Sequence, residues 1–286
     1  MGESVSIVEV GPRDGLQNEK KIIPTDQKIK LVDELARCGL KRIEATSFVS
    51  PDWVPQLADA VEVMDGITRT CGVSFSVLVP NLKGMELAIK CQADEVAIFT
   101  SASEGFCQRN INCSISESLN RFKPVLDLAG KSNLPVRGYV SCVIDCPYDG
   151  PVDPTRVASV CVALLTLGCR EIGLGDTIGT GTPRRIDAML KSVLDVIPAH
   201  KLAGHYHNTN GHALDCIKVS LAHGLRVFDS AVGGLGGCPY APGAAGNVAT
   251  EEVVQLLRNE GYETGIDLDR LKSVARPLAQ AVRREQ

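Results

Sequence analysis

Eight apolar, β-branched segments recur along the chain, and a longer stretch with helical periodicity follows each of them. The strand-like segments are Val5–Val10, Arg42–Thr46, Val73–Val79, Glu95–Thr100, Val136–Val143, Glu171–Leu174, Leu202–Tyr206 and Val227–Val232. Alternation of strands and helices indicates a parallel sheet. Eight such units within 286 residues predict an α/β protein with a closed TIM (β/α)₈ barrel rather than an open doubly wound sheet.

The whole chain, residues 1–286, is expected to form one catalytic barrel domain. Residues 267–286 follow the eighth strand and predict extra C-terminal helices. Residues 233–247, GGLGGCPYAPGAAGN, are too rich in glycine and proline for a regular helix or strand. A loop of that length is typically functional, and we expect it to form a lid.

Charge and composition exclude several classes of protein. The net charge is −4 and no basic patch is present, so nucleic acid and anionic membranes are poor candidate partners. No apolar run reaches the ~20 residues of a transmembrane helix. The 11 cysteines form no C-x-x-C pair, which fits free thiols in a reducing compartment. With neither a leader peptide nor a peroxisomal tripeptide recognised, we expect a cytoplasmic location.

Polar residues occur where the predicted strands end, which is where TIM barrels carry their catalytic groups. They are Arg13 and Asp14 after the first strand, Glu44 on the second, Asp176 after the sixth, His205 and His207 at the seventh, and Cys238 and Asn247 after the eighth. This coincidence favours an enzyme over a binding protein.

His205 and His207 form the sharpest local motif. Residues two apart on a strand point to the same face, so both imidazoles could bind one metal ion. The alternative is a pair of half-buried histidines bonded to the backbone. Asp14 is the natural third ligand, although P-R-D-G is also a good turn sequence. A mixed nitrogen and oxygen set suits Mg²⁺, Mn²⁺, Zn²⁺ or Co²⁺.

The remaining candidates each allow a structural and a functional interpretation. Arg13 is either a surface cation or a stabiliser of an anionic intermediate. Glu44 in an apolar strand needs a partner, either Arg13 or a ligand histidine. Asp176 either caps the next helix or reaches the site.

Two further residues flank the glycine-rich loop. Asn247 is either a helix N-cap or a metal ligand, and the residues alone favour the cap. Cys238 follows two glycines and precedes a proline. It is either a structural loop cysteine or a proton donor carried by a lid.

Long, ordered motifs also carry a family resemblance. From end to end the chain resembles the 3-hydroxy-3-methylglutaryl-CoA lyases. The matching segments are VEVGPRDGLQNE (Val8–Glu19), IEATSFVSPDWVPQ (Ile43–Gln56), SASEGF (Ser101–Phe106), NINCSISES (Asn110–Ser118), RGYVSCV (Arg137–Val143), CPYDG (Cys146–Gly150), LGDTIGTGTP (Leu174–Pro183) and GLGGCPYAPGAAGNVATE (Gly234–Glu251).

The resemblance implies a role for each matching residue. It implies a divalent metal, Mg²⁺ or Mn²⁺, held by four protein ligands: Asp14, His205, His207 and Asn247. It implies that Arg13 binds substrate and stabilises an enolate, that Cys238 is the catalytic acid/base, and that Glu44 is important for activity. Two departures from the family pattern, Asn208 after the second histidine and Gly173 before L-G-D, concern substrate preference.

The reaction implied is a retro-Claisen cleavage of 3-hydroxy-3-methylglutaryl-CoA to acetoacetate and acetyl-CoA. The base that removes the hydroxyl proton is either Asp14 or His205 through water. The alternative substrate is a larger 3-hydroxy-3-alkylglutaryl-CoA, such as an isohexenyl homologue. A synthase of the Claisen type and a catalytically inactive scaffold are further alternatives. Lys83 and Arg109 are candidates for the CoA phosphates, and a homodimer or other homo-oligomer is expected.

Overall fold

A computed structural model describes residues 2–19, 21–238 and 241–283, and it describes the backbone alone at 237, 238, 241–245 and 276–283. The eight barrel strands are β1 Ser6–Glu9, β2 Arg42–Ser47, β3 Ser74–Leu78, β4 Glu95–Ser101, β5 Val136–Ser141, β6 Glu171–Asp176, β7 Leu202–Tyr206 and β8 Val227–Ser230. Each strand pairs in parallel with its neighbours in sequence, and β1 pairs with β8 to close the barrel. The predicted barrel is confirmed, and its strand ends shift by at most about two residues.

Ten α-helices accompany the barrel. They are α1 Thr25–Arg37, α2 Ala60–Gly66, α3 Leu82–Lys90, α4 Glu104–Ile111, α5 Ile115–Lys131, α6 Pro154–Leu167, α7 Pro183–Leu194, α8 Ala213–Ala222, α9 Thr250–Asn259 and α10 Leu268–Arg283 among the residues described. Helix α10 occupies most of the segment 267–286, where the sequence predicts a C-terminal extension. None of the described helices is both long and apolar enough to cross a bilayer.

Helix α6 shows how local sequence sets the helix ends. Asp153 is its N-cap and accepts a hydrogen bond from the Thr155 amide, and Pro154 occupies the first helical position. Proline is tolerated there because its missing N–H would have no partner within the helix. Gly168 ends the helix with φ +116°, a conformation that costs glycine little.

Two regions differ from the predicted irregular structure. The P-R-D-G segment is part of a π-helical turn, Gly11–Gly15, rather than a β-turn. The glycine-rich segment contains a 3₁₀ turn, Val232–Gly234, and an antiparallel hairpin of Gly237–Cys238 with Ala241–Ala245. The prediction of no regular structure there is therefore wrong. The backbone N–H and C=O groups of the two short strands pair with each other and so find the hydrogen-bond partners that they need.

The strand register brings the polar residues together. Asp229 of β8 lies beside Val8 of β1 on one side and beside His205 of β7 on the other. Paired residues of parallel neighbours point to the same face of the sheet. The interior of this barrel is therefore largely polar, and the apolar core lies between the strands and the surrounding helices, which contribute fully buried residues such as Leu35, Val193 and Leu257.

Val193 and Val196 offer a matched test of this packing. Val193 on α7 is fully buried, whereas Val196, three residues later, is 58% exposed. Val193→Ala should lower the free energy of unfolding by about 2 kcal/mol, from the lost methyl groups and the cavity left behind. Val196→Ala should change it by less than about 0.5 kcal/mol. Urea unfolding measures both, and equal losses would contradict the assignment of α7 to the core.

Candidate metal centre and active site

The loop after β1 delivers Arg13 and Asp14 to the barrel mouth. Within the π-helical turn, the amides of Arg13 and Gly15 both donate to the carbonyl of Val10, at 3.2 and 3.1 Å. A wider π turn differs from the preferred α geometry, and such turns are frequent at functional sites. Here the turn places two adjacent charged side chains on the inner side of the mouth.

Asp14, His205 and His207 form a cluster with metal-binding geometry. One donor atom from each lies within 4.8 Å of the others, and Nε2 of His205 is 3.9 Å from Oδ2 of Asp14. The imidazole centroids are 5.4 Å apart. Two nitrogens and a carboxylate oxygen fit a divalent cation such as Mg²⁺, Mn²⁺, Zn²⁺ or Co²⁺. The structure thus brings together Asp14 from the end of the first strand and the two histidines from the end of the seventh.

His205 is oriented by Asp229. Its Nδ1 is 3.0 Å from Oδ2 of Asp229, and a carboxylate can only accept, so Nδ1 carries the proton. Nε2 therefore faces Asp14, as a metal ligand requires. Burial lowers the pKa of His205, but the hydrogen bond and charge of Asp229 outweigh it and raise the pKa above its usual value.

His207 has the features of a metal ligand. Its buried Nδ1 has no hydrogen-bond partner among the described residues, and such an orphaned group calls for an explanation. Burial, with neighbouring His205, lowers the pKa of His207 to about 4. The imidazole is therefore neutral at physiological pH, which is the form that binds metal.

Asp14 is held ionised beside Asn247. Burial raises the pKa of Asp14, but Arg13 and the two histidines outweigh it and bring the pKa to about 2. Nδ2 of Asn247 donates to Oδ2 of Asp14 at 2.8 Å. The N-cap of α9 is Ala249, so the interpretation of Asn247 as a helix cap is wrong.

Arg13 is fixed by two carboxylates. Its Nε and Nη2 donate to Glu44 at 2.9 and 3.0 Å, and Nη1 donates to Asp14 at 2.6 Å. Glu44 also accepts from the hydroxyl of Tyr139 at 2.9 Å. Of the two partners expected for Glu44, the structure shows Arg13. Burial lowers the pKa of Arg13, but Glu44 and Asp14 outweigh it and raise the pKa, so the cation is permanent.

Sequence reasoning missed three residues beneath this site: Arg137, Tyr139 and Asp229. Arg137 makes a two-point contact with Asp229, at 2.7 and 3.0 Å, and donates to the Tyr139 hydroxyl at 2.7 Å. Arg137 and Asp229 lie in apolar strand segments, as Glu44 does. The argument used for Glu44, that a buried charge needs a partner, would have found both.

The other sequence candidates lie around this centre. Asp176 is the last residue of β6 rather than following it, and it accepts from the Gly181 amide at 2.8 Å, so it stabilises the next turn. Burial raises the pKa of Asp176 to about 6. Lys83 lies exposed in the first turn of α3. Arg109 stacks over the Tyr148 ring, with a centroid distance of 4.5 Å.

The two departures from the family pattern have structural partners. A Cβ at Gly173 would lie 2.7 Å from the Tyr139 ring, so glycine leaves room for that ring. The amide of Asn208 donates to the Gly246 carbonyl at 2.7 Å, and its Oδ1 accepts from the Ala213 amide at 3.2 Å. Asn208 thus joins the strand carrying the histidines to the end of the glycine-rich segment.

Cys238 lies in the hairpin by its backbone, and its side chain is outside the described residues. Two residues earlier, the backbone lies against the candidate metal-binding cluster. A Cβ at Gly236 would be 3.0 Å from Nδ2 of Asn247 and 3.4 Å from the carbonyl oxygen of Asp14. Gly236 also has φ +97°, which favours glycine at this close approach.

Comparisons with known proteins cover nearly the whole chain. The family model described as HMGL-like matches residues 4–277. The mitochondrial hydroxymethylglutaryl-CoA lyase of Arabidopsis thaliana is 57% identical over 267 residues, which are 93% of this chain and 57% of the plant protein. The cytoplasmic 3-hydroxy-3-methylglutaryl-CoA lyase of Rattus norvegicus is 53% identical over 280 residues, 98% of this chain and 82% of the rat protein.

Solved structures agree with these matches. The HMG-CoA lyase of Brucella melitensis superposes with a TM-score of 0.97 at 61% identity, covering 99% of this chain and 100% of that one. An HMG-CoA lyase from Acinetobacter baumannii, in complex with coenzyme A and 3-methylmalate, has a TM-score of 0.92 at 38% identity, with 98% and 91% covered. On this evidence the chain belongs to the HMGL-like family.

Proposed function

We propose that this protein is a carbon–carbon lyase that cleaves 3-hydroxy-3-methylglutaryl-CoA into acetoacetate and acetyl-CoA with the help of a divalent metal. The observation that carries the proposal is the Asp14, His205 and His207 cluster with a fixed arginine beside it at the barrel mouth. The substrate is proposed from the relatives, which are named as lyases of this thioester. No observation favours the larger 3-hydroxy-3-alkylglutaryl-CoA.

Asp14, His205, His207 and Asn247 are the proposed ligands, with Mg²⁺ or Mn²⁺ as the ion. Asn247 contacts Asp14 directly, and a turn of its amide would present the oxygen Oδ1 to a cation. When bound, such an ion acidifies the tertiary hydroxyl of the substrate. Asp14 and His205, the two candidates for the base, both belong to this cluster.

Arg13 is proposed to stabilise the enolate of acetyl-CoA that forms when the carbon–carbon bond breaks. Three of its five N–H groups bond to Glu44 and Asp14. That leaves two without a partner among the described residues, and they are available to an oxyanion. Because Glu44 and Tyr139 hold the guanidinium in place, little reorganisation is needed as charge develops. Glu44 therefore acts by orienting Arg13.

Cys238 is proposed to protonate the enolate carbon. The approach of Gly236 to Asn247 and Asp14 supports this, because it leads the chain to Cys238 from the edge of the cluster. The segment 233–247 would then act as a lid that excludes water from the reactive enolate.

The partner we propose is a CoA thioester, in keeping with the Acinetobacter relative that binds coenzyme A. The cytoplasmic location stays a prediction, since relatives are named for the cytoplasm and for the mitochondrion. The homo-oligomeric state also stays a prediction.

Removal of one metal ligand tests the centre. His207→Ala should weaken Mn²⁺ binding at least tenfold and abolish most acetyl-CoA release, because a neutral, half-buried ligand is lost. Calorimetric titration and a coupled acetyl-CoA assay with EDTA and added Mg²⁺ measure these effects. The exposed His212 on the same loop provides the control variant His212→Ala. Full activity of His207→Ala after exhaustive chelation would refute the metal assignment.

Arg13→Lys tests transition-state stabilisation. Lysine keeps the charge but loses the forked contact with Glu44, and kcat should fall roughly 10²–10³-fold. Steady-state kinetics measure this, with Arg37→Lys, a half-exposed cation on α1, as the control. An unchanged kcat with a raised KM would instead assign Arg13 to substrate binding alone.

Cys238→Ser tests proton transfer. Serine keeps the size but is a far weaker acid, so kcat should fall about 10²–10⁴-fold while metal binding persists. Thiol alkylation should inactivate the wild type, and bound substrate should protect it. The exposed Cys71 provides the control Cys71→Ser, which should remain sensitive to alkylation. Normal turnover by Cys238→Ser would show that another group supplies the proton.

A further inference from the structure

Glu9 is a fully buried carboxyl group that the proposed reaction does not use. It is 0% exposed. Its neighbour Val8 pairs with the inward-facing Asp229, so Glu9 points out of the barrel towards the surrounding helices. No cation pairs with it among the described residues. Burial of a carboxylate without a counter-charge is costly unless hydrogen bonds compensate.

Three hydrogen-bond donors converge on this carboxyl group. Oε1 accepts from the amides of Gly11 and Val232, at 2.8 and 2.9 Å. Oε2 accepts from the hydroxyl of Thr250 at 2.6 Å. Thr250 in turn receives a hydrogen bond of 2.8 Å from Ser230. The carboxyl group is therefore fully enclosed by its partners.

Each donor begins a segment that delivers part of the active site. Gly11 starts the π-helical turn that carries Arg13 and Asp14. Val232 starts the 3₁₀ turn that leads into the glycine-rich hairpin. Thr250 starts α9, three residues after Asn247. A Cβ at Gly11 would lie 2.5 Å from Oε1 of Glu9, so the turn accommodates the carboxyl group only because glycine stands there.

We propose that Glu9 is a positioning residue that clamps the loop after β1 to the loop after β8 and thereby sets the distance between Asp14 and Asn247. Asp14 and Asn247 come from these two loops and meet at 2.8 Å. After the backbone hydrogen bond from the Val10 amide to the Ser230 carbonyl, at 2.9 Å, the clamp holds Gly11 of the first loop and Val232 of the second on one carboxyl group. The activity part of this inference rests on the proposed lyase function, whereas the structural part does not.

The charges around Glu9 make the clamp sensitive to pH. Burial raises the pKa of Glu9 to about 7, against the effect of its three hydrogen bonds, and the carboxylate of Glu251 on α9 raises it further. Among the described residues, Cys38 at the end of α1 also interacts with Glu9, and burial raises the pKa of its thiol to about 11, so that it is neutral. The pKa of Glu9 in the folded protein exceeds its ordinary value of 4.5. The contribution of Glu9 to the free energy of unfolding is therefore full below about pH 4.5 and is lost as the pH rises through 7.

The protonated carboxyl group can keep all three contacts. Oε1 still accepts both amides, while Oε2 donates to Thr250 instead of accepting from it. Glutamine reproduces this arrangement, with its amide nitrogen donating to Thr250. Glu9→Gln should therefore preserve the clamp, whereas Glu9→Ala removes it.

Amide exchange and metal binding test the proposal in the full-length protein. Glu9→Ala should accelerate hydrogen exchange at least tenfold in peptides spanning 9–16 and 230–236, and should weaken Mn²⁺ binding roughly 10–100-fold. Glu9→Gln should stay within about threefold of the wild type in both. The melting temperature of Glu9→Gln should rise relative to that of the wild type between pH 5 and pH 8.

Thr250→Val and Thr100→Val form the matched pair. Both hydroxyls are buried and bond between a strand and a helix, but Thr100 contacts Ser118, away from the clamp. Only Thr250→Val should accelerate exchange near Gly11 and Val232 and weaken Mn²⁺ binding, and it carries the test if Glu9→Ala does not fold.

Wild-type exchange and Mn²⁺ affinity in Glu9→Ala would overturn the proposal. So would equal losses in the two threonine variants, or a pH-independent difference in melting temperature between Glu9→Gln and wild type. Absence of thioester cleavage by the wild type would refute the lyase function alone, because the exchange pattern does not depend on catalysis.

Discussion

The ion pair between Arg137 and Asp229 in the middle of the barrel is the interaction on which the active site depends. Arg137 is 1% exposed and Asp229 is 2% exposed, so neither charge could remain there alone. Each partner also reaches outward. Arg137 lies 2.7 Å from Glu171 towards the barrel floor, and Asp229 orients His205 towards the mouth. Removal of one partner would leave a buried charge directly beneath the proposed metal ligands.

This polar interior differs from the packed apolar layers that usually fill a TIM barrel. Arg42 joins Glu95 and Glu171 at the strand starts, and Arg137 continues the chain of charges upward. Hydrogen-bonded charges define one geometry for each side chain, whereas apolar layers tolerate repacking. The histidines and Arg13 therefore rest on a rigid support, which suits a reaction that stabilises charge at a fixed position.

Physical reasoning from the sequence predicted the barrel, because the alternation of strand-like and helical periodicity is a local property of the chain. It also predicted that Arg13, Asp14, His205 and His207 lie at the same end of the barrel, because the carboxyl ends of parallel barrel strands share one face. It failed where the outcome depends on partners distant in sequence. Asn247 has the local pattern of a helix cap, yet its amide lies against Asp14, 233 residues away. The glycine-rich segment has no periodicity of its own, and its hairpin arises from pairing between its two halves.

The sequence by itself determined the fold class, the family and the end of the barrel at which the candidate site lies, since these depend on periodicity and on ordered motifs. Only the tertiary structure decided how the charges pair. Glu44 had two possible partners, and barrel closure placed Arg13 and Tyr139 against it. Glu9 lies within the first predicted strand, and three segments converge on it only because β1 and β8 pair. The physical reason is that a buried charged group needs hydrogen-bonding or charged partners, and only the folded chain determines which residues those partners are.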